Sequence, residues 1–375
     1  MNTFITDNLP DSVAVSHPRN SSVPYTIYNL TGDPGVNMHI YRSAIIGANK
    51  LLCLAPSKSV SLDELLENSD DNTLFKVEEI VEGTMINLFW DERIGWEIAT
   101  KKGVSGNYFY FRNQYQGNGE QKTFRQMFLD AFTQKPNVLA DLELLAYLDK
   151  TCCYTFVLQH PLNHIVLNVK EPTVYLVYMH KLAQPMSYSY APVNCEEMNT
   201  YFLNAGVKFP VNCDNHFNKS LFATKYIELS TRATKAPGYM ITDFKTGLRA
   251  SFENHEYTSL KTLRGNHPNM FFHYLMLRKS KEVERFINHF PQYSQLFQEF
   301  NTRFSDYVSM IYQLYVDVFI TKTNNIKTIE DKKALFFINR IHYSIYLPSL
   351  KMTKMKITRQ IVEAFLDSKD YMMPI

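Results

Sequence analysis

Apolar and polar positions along the chain follow two different rhythms. Up to about residue 262 the apolar residues come in short runs and alternations. Thr84-Met85-Ile86-Asn87-Leu88-Phe89-Trp90 reads as a strand, Asp91 to Gly95 as a turn, and Trp96-Glu97-Ile98-Ala99-Thr100 as the return strand of a hairpin. Tyr154 to Leu158, Ile165 to Val169 and Val174 to Met179 read as further strands, with a turn through Pro161-Leu162-Asn163. Gly238 to Thr242 and Leu248 to Phe252 read as a last hairpin, turning at Lys245-Thr246-Gly247. Between them, Ser61 N-caps a short helix with an acidic first turn, and Thr123 to Phe132 and Leu139 to Leu148 read as helical pieces. Apolar density also rises from Tyr41 to Leu54, where Ile45, Ile46, Leu51, Leu52 and Leu54 are candidates for a core.

After Leu263 the spacing becomes helical. Tyr307, Met310, Ile311, Leu314, Tyr315 and Val318 mark one helix face, and their spacing makes them core rather than a base-stacking platform. Thr328 with Asp331 reads as a capping box for another helix, and Ile357, Ile361, Val362 and Phe365 mark a last one. Residues 1–35, rich in Pro, Ser, Asn and Asp, read as an extended or partly ordered arm. The organisation expected is therefore an arm (1–35), an antiparallel-rich α+β domain (36–262) and an all-helical domain (263–375). No internal repeat is visible.

Composition narrows the function classes. A hydrophobic fraction of 45% and a charged fraction of 20% are ordinary for a folded protein. The net charge is only +2, so any nucleic-acid site must be a local cluster. Five cysteines, an odd number without a CxxC pair, point inside the cell and suggest neither a structural zinc site nor a redox motif. The first residues carry no basic and apolar leader pattern, and no apolar run approaches the roughly 18 residues of a membrane span, so a cytoplasmic protein is expected. The sequons at Asn20 and Asn29 are read as chance matches. Gly117-Asn118-Gly119 is no phosphate cradle, because no Gly-Lys-Ser/Thr follows. His160 and His164 are separated by Pro161, which favours a turn over a metal-binding helix.

Five segments, in order, carry a resemblance. They are Ile80-Val81-Glu82-Gly83-Thr84, Ala99-Thr100-Lys101-Lys102-Gly103, the run from Phe156 to Val166 with Pro161 and Asn163, Pro237-Gly238-Tyr239-Met240-Ile241, and Arg249-Ala250-Ser251 with Tyr257. Their order and spacing resemble the motifs of RNA ligases and mRNA-capping guanylyltransferases, and Leu263-Arg264-Gly265-Asn266-His267-Pro268 resembles a segment of ligase-like proteins of giant DNA viruses. The resemblance implies a nucleotidyltransferase fold. In that family a lysine attacks the α-phosphate of a nucleotide, carboxylates hold a divalent metal and basic groups stabilise the transferred phosphate.

The departures are systematic. Ile80 stands where the resemblance places the nucleophilic lysine, Val157 and Pro237 where it places two acids, Ser251 at a lysine and His164 at an arginine. The expectation is a degenerate, non-catalytic ligase fold with no catalytic residue, no metal site and no cofactor. Its candidate binding residues for RNA, a nucleotide or a capped RNA 5′ end are Glu82, Gly83, Lys101, Lys102, His164 and Arg249. Each reads more plainly in isolation: Glu82-Gly83 as a turn, Lys101 and Lys102 as solvated lysines. A scaffold for protein partners in a viral assembly, in host cytoplasm or virion, is the alternative from another class. A third reading keeps activity through a displaced nucleophile, Lys76, although a solvent-facing strand lysine is the simpler expectation there.

Overall fold

The computed structural model describes residues 2–6, 8–18, 21–32, 39–109, 122–132, 148–183, 189–195, 206–231, 236–243, 245–265, 267, 269–326, 329–351 and 355–368. The expectations at Asn20, Gly117-Asn118-Gly119, most of Leu139 to Leu148, Thr328, Asn266 and Pro268 lie outside them. Of the described residues, one unit takes those up to Thr262 and a second those from Leu263.

The first unit is α+β and its named strands pair antiparallel. A six-stranded sheet runs β1 (Asn2–Thr3), β11 (Ser189–Val193), β10 (Thr173–Leu182), β9 (Cys152–Gln159), β7 (Thr84–Asp91), β8 (Gly95–Ala99). Apolar residues of β7, β9 and β10, among them Ile86, Phe156, Leu158 and Leu176, are fully buried with Phe128 and Phe132 of the helix Phe124–Phe132. A second core joins Phe89, Cys153 and Leu182 to a sheet of β2 (Val13–Ser16), β3 (Thr26–Leu30), β4 (Ala44–Gly47) and β5 (Lys50–Leu54). The stretch expected as an arm thus contributes strands and buries Phe4, Val13, Tyr25 and Ile27. In β3 both faces are covered, so Ile27, Tyr28 and Leu30 are all buried without the alternation by which a strand is read.

The third sheet runs β12 (Asn212–Asn218), β6 (Leu74–Glu79), β13 (Gly238–Asp243), β14 (Arg249–Glu253). Strand alternation divides its residues between two faces. Phe75, Val77, Tyr239, Ile241 and Ala250 form a core with Leu65 of the helix Leu62–Glu67 and with Phe222 and Leu229 of the helix Phe222–Thr231. The opposite face carries Lys76, Glu78, Met240, Thr242, Arg249 and Ser251. Lys76 is therefore not solvent-facing: it is 4% exposed and its Nζ lies 2.9 Å from Glu78 Oε1.

The stretch Ile165 to Val169 is not a strand. Its amides at 165–167 bind a carboxylate instead of a neighbouring ladder, as described below.

The second unit is helical. Its principal helices are Met270–Ser280, Val283–His289, Ser294–Tyr315, Lys332–Ile341 and Arg359–Asp367. Asn269, Asp331 and Thr358 cap three of them through side-chain oxygens. Phe271, Tyr274, Phe286, Phe297 and Phe300 pack ring on ring. Arg278 reaches both Asp367 and Glu363 at 3.0–3.1 Å. In Ser294–Tyr315 the buried row is Phe297, Phe300, Phe304, Val308, Ile311 and Tyr315, and Met310 is 41% exposed. The core face is thus rotated from the expected one, because the large aromatics upstream set it. Among the described residues no helix is long and apolar enough to cross a membrane.

Candidate functional site: a cation group on the polar face of the third sheet

Arg249 opens β14 and points away from the apolar core, in cross-strand register with Thr242 and, through it, Lys76. It is 7% exposed. Its guanidinium lies 5.7 Å from the ring centre of Tyr178, a buried residue of β10. Its Nε finds no hydrogen-bond acceptor. Burial first, and then the neighbouring charge of Arg42, push its pKa down to about 10.

Arg42 is the link that brings the other cations in. It ends the 3-10 turn His39–Arg42 and is part-buried, and burial lowers its pKa. Burial and then the charges of Arg42, Lys102 and Lys58 lower that of Lys101. Backbone contacts hold the group in place. Ser43 donates its hydroxyl to the Lys101 carbonyl at 3.0 Å, Lys58 donates its N–H to the His39 carbonyl at 2.9 Å, and Val60 donates its N–H to the Arg249 carbonyl at 2.8 Å. The segment before β6 therefore runs from the Arg42 turn to the Arg249 strand and carries Lys58 with it. Lys101 and Lys102 are exposed, Arg42 and Lys58 part-buried, and Arg249 buried. Like charges so placed destabilise one another unless an anion joins them.

Glu82 and Gly83 have a different surrounding. Glu82 is 6% exposed. Its carboxylate accepts the backbone N–H groups of Ile165, Val166 and Leu167 at 2.9–3.2 Å and the Tyr257 hydroxyl at 2.7 Å. Gly83 lies against β9, where a Cβ would come within 2.3 Å of the Leu158 carbonyl oxygen. His164 sits on the turn after β9, with its Nδ1 2.9 Å from the Pro161 carbonyl. No described contact joins it to the cation group.

Of the six sequence candidates, Lys101 and Arg249 each feel the charge of Arg42, and Lys102 adds its charge to Lys101. Glu82 and Gly83 make a structural junction, and His164 stands apart. Sequence reasoning missed Arg42, Lys58 and Glu78. The alternation Phe75-Lys76-Val77-Glu78 held the signal for the last, since two apolar residues facing a core turn Lys76 and Glu78 to the other side. Arg42 and Lys58 carry no such local signal.

The positions that depart from the ligase pattern are also placed. Ile80 follows β6 and donates its N–H to the Gly238 carbonyl at 2.8 Å. Val157 packs against the Gly83 backbone, and the Pro237 carbonyl accepts the Asn254 N–H at 2.8 Å.

No protein-family model matches the chain. Over 156 residues it is 25% identical to an RNA ligase of Rhodothermus phage RM378, a match that covers 41% of this chain and 34% of the relative. The chain thus spans about a third of the phage ligase's length. Among solved structures it is similar to a putative ATP-dependent DNA ligase from Aquifex aeolicus, with 12% identity and a TM-score of 0.43 over 90% of this chain and 77% of the other. It is also similar to a Naegleria gruberi RNA ligase mutant with ATP and Mn, with 10% identity and a TM-score of 0.39 over 62% of this chain and 64% of the other.

Proposed function

We propose that this ligase-like protein is a non-catalytic binder of phosphate groups, taking a nucleotide or the 5′ end of an RNA. The observation that carries the reading is the pair Arg42 and Arg249. Arg249 is buried and its Nε has no acceptor, Arg42 is part-buried, and the charge of Arg42 bears on Arg249. An anion between them offsets a cost that the free protein bears. Lys101 and Lys102, exposed beside them, supply the outer contacts. Ile80 at the nucleophile's place of the resemblance removes the amine that covalent chemistry requires.

Binding of ATP, GTP and a short 5′-triphosphorylated RNA at low salt tests the reading. Affinity is expected to fall as salt rises, because the contacts are with phosphate. Arg249→Met is expected to abolish binding while leaving the melting temperature unchanged or raised, since it removes like-charge repulsion. A residue that served only the fold would lower the melting temperature instead. Wild-type protein without affinity for any of these ligands would refute the reading.

One observation favours a second reading. Lys76 is buried on the same sheet face as Arg249, with Glu78 beside it. With α-labelled ATP or GTP and magnesium, the first reading expects no adduct. An acid-labile labelled protein that disappears in Lys76→Arg would establish the second.

A further inference from the structure

The ligase resemblance implies a divalent metal, and the donors this chain offers do not fit one. The positions of the two missing acids hold Val157 and Pro237. Glu82 already accepts four hydrogen-bond donors, three amides and a hydroxyl. Glu78 is engaged by Lys76 at 2.9 Å. Among the described residues no group of three or more His, Cys, Asp or Glu is placed to hold a metal ion. Magnesium is bound through one or two carboxylates together with substrate phosphates, and the two carboxylates named here, among the described residues, are already engaged.

Resting on the phosphate-binding reading, we infer that the site takes a di- or triphosphate end free of metal, and that magnesium opposes binding. The charge balance carries this. Arg249 is buried with its Nε unpartnered, and the segment that bonds the His39 carbonyl through Lys58 and the Arg249 carbonyl through Val60 ties the Arg42 turn to the Arg249 strand, where the charge of Arg42 bears on Arg249 and Lys101. A phosphodiester of an RNA backbone brings one negative charge and leaves at least one of the two arginines uncompensated. A terminal diphosphate brings several charges on adjacent groups and can serve both. A bound magnesium ion cancels much of that charge and presents a cation to a group of cations. Glu78 is the internal competitor, since it holds Lys76 away from a ligand and lies in the field of Arg249.

The test is calorimetric titration of the full chain with inorganic pyrophosphate, first in a chelator and then with increasing magnesium at constant ionic strength. Apparent affinity is expected to fall roughly tenfold or more once magnesium has complexed most of the pyrophosphate, following the free anion by mass action. Orthophosphate is expected to bind far more weakly. Glu78→Gln is expected to raise the affinity for metal-free pyrophosphate several-fold by releasing Lys76. Affinity that magnesium leaves unchanged or strengthens would overturn the inference while leaving the phosphate-binding reading intact. So would orthophosphate binding as tightly as pyrophosphate, or a Glu78→Gln variant that binds more weakly. No binding in either buffer removes the underlying reading and the inference with it.

Discussion

At the scale of single residues, Glu82 shows how a recognisable motif position can hold an unexpected role. The pair Glu82-Gly83 is visible in the sequence, and the resemblance implies a place beside the nucleotide. In the structure its carboxylate gathers three successive amides and the Tyr257 hydroxyl. Those four donors come from two distant segments, so no local pattern could reveal them. The consequence is a prediction about stability. Glu82→Ala leaves three part-buried amides and the buried Tyr257 hydroxyl without their acceptor, at a cost of about 3–5 kcal/mol. Glu82→Gln keeps one acceptor oxygen but turns an amide group toward N–H donors, so about half that loss is expected. Urea denaturation measures both. A Glu82→Ala protein as stable as wild type would show that the 165–167 amides find other partners. Arg42 shows the reverse failure. It is one arginine beside an apolar run, and only the folded chain sets it against Arg249.

At the scale of elements, legibility followed apolar contrast. The hairpin of β7 and β8 and that of β13 and β14 were readable because apolar and polar residues alternate on both sides of a turn. β12, with the sequence Asn-Cys-Asp-Asn-His-Phe-Asn, is nearly all polar, and pairing with β6 rather than its own pattern makes it a strand. Ile165 to Val169 has strand composition, yet its amides serve Glu82. The two ligase-like glycines are legible in identity, and the structure supplies the reason for them. A Cβ on Gly83 would lie 2.3 Å from the Leu158 carbonyl oxygen, and one on Gly238 2.2 Å from that of Phe252. Both obstacles are backbone atoms of paired strands, which yield only by breaking the ladder. Gly83→Ala and Gly238→Ala should each cost about 2–4 kcal/mol or more, in the range of overpacked core sites. Gly32, with nothing within 4 Å of its Cβ position, is the control, and Gly32→Ala should be near neutral. Equal melting temperatures for all three variants would contradict the close approach.

At the scale of the whole molecule, the net charge of +2 conceals a local concentration of cations in one unit and a part-buried titratable group in the other. In the helical unit, burial and then the charge of Arg264 push the pKa of His273 down to about 4. Its ring Nε2 lies 3.1 Å from the Leu263 carbonyl, so the neutral ring donates there, and its other face meets Phe286. The folded-state pKa lies below the unfolded value of about 6.5. The unfolded chain therefore takes up the proton first, and stability is lost as pH falls from about 6.5 toward about 4. By pH 5 the loss from this one group is on the order of 2 kcal/mol. Two probes separate the units. Trp90 and Trp96, the only tryptophans in the chain, both lie in the β7–β8 hairpin and report on the first unit by fluorescence. Helical circular dichroism is dominated by the second. His273→Gln retains an N–H donor for Leu263 and cannot titrate in this range. It should lower stability modestly at pH 7 and remove about 2 kcal/mol of the pH 7 to pH 5 difference seen by circular dichroism. The fluorescence-detected transition should keep its wild-type pH dependence, which includes His160 of the first unit, a histidine whose pKa burial also lowers. A variant with the full wild-type acid sensitivity in the helical signal would place the titrating group elsewhere and refute the assignment to His273.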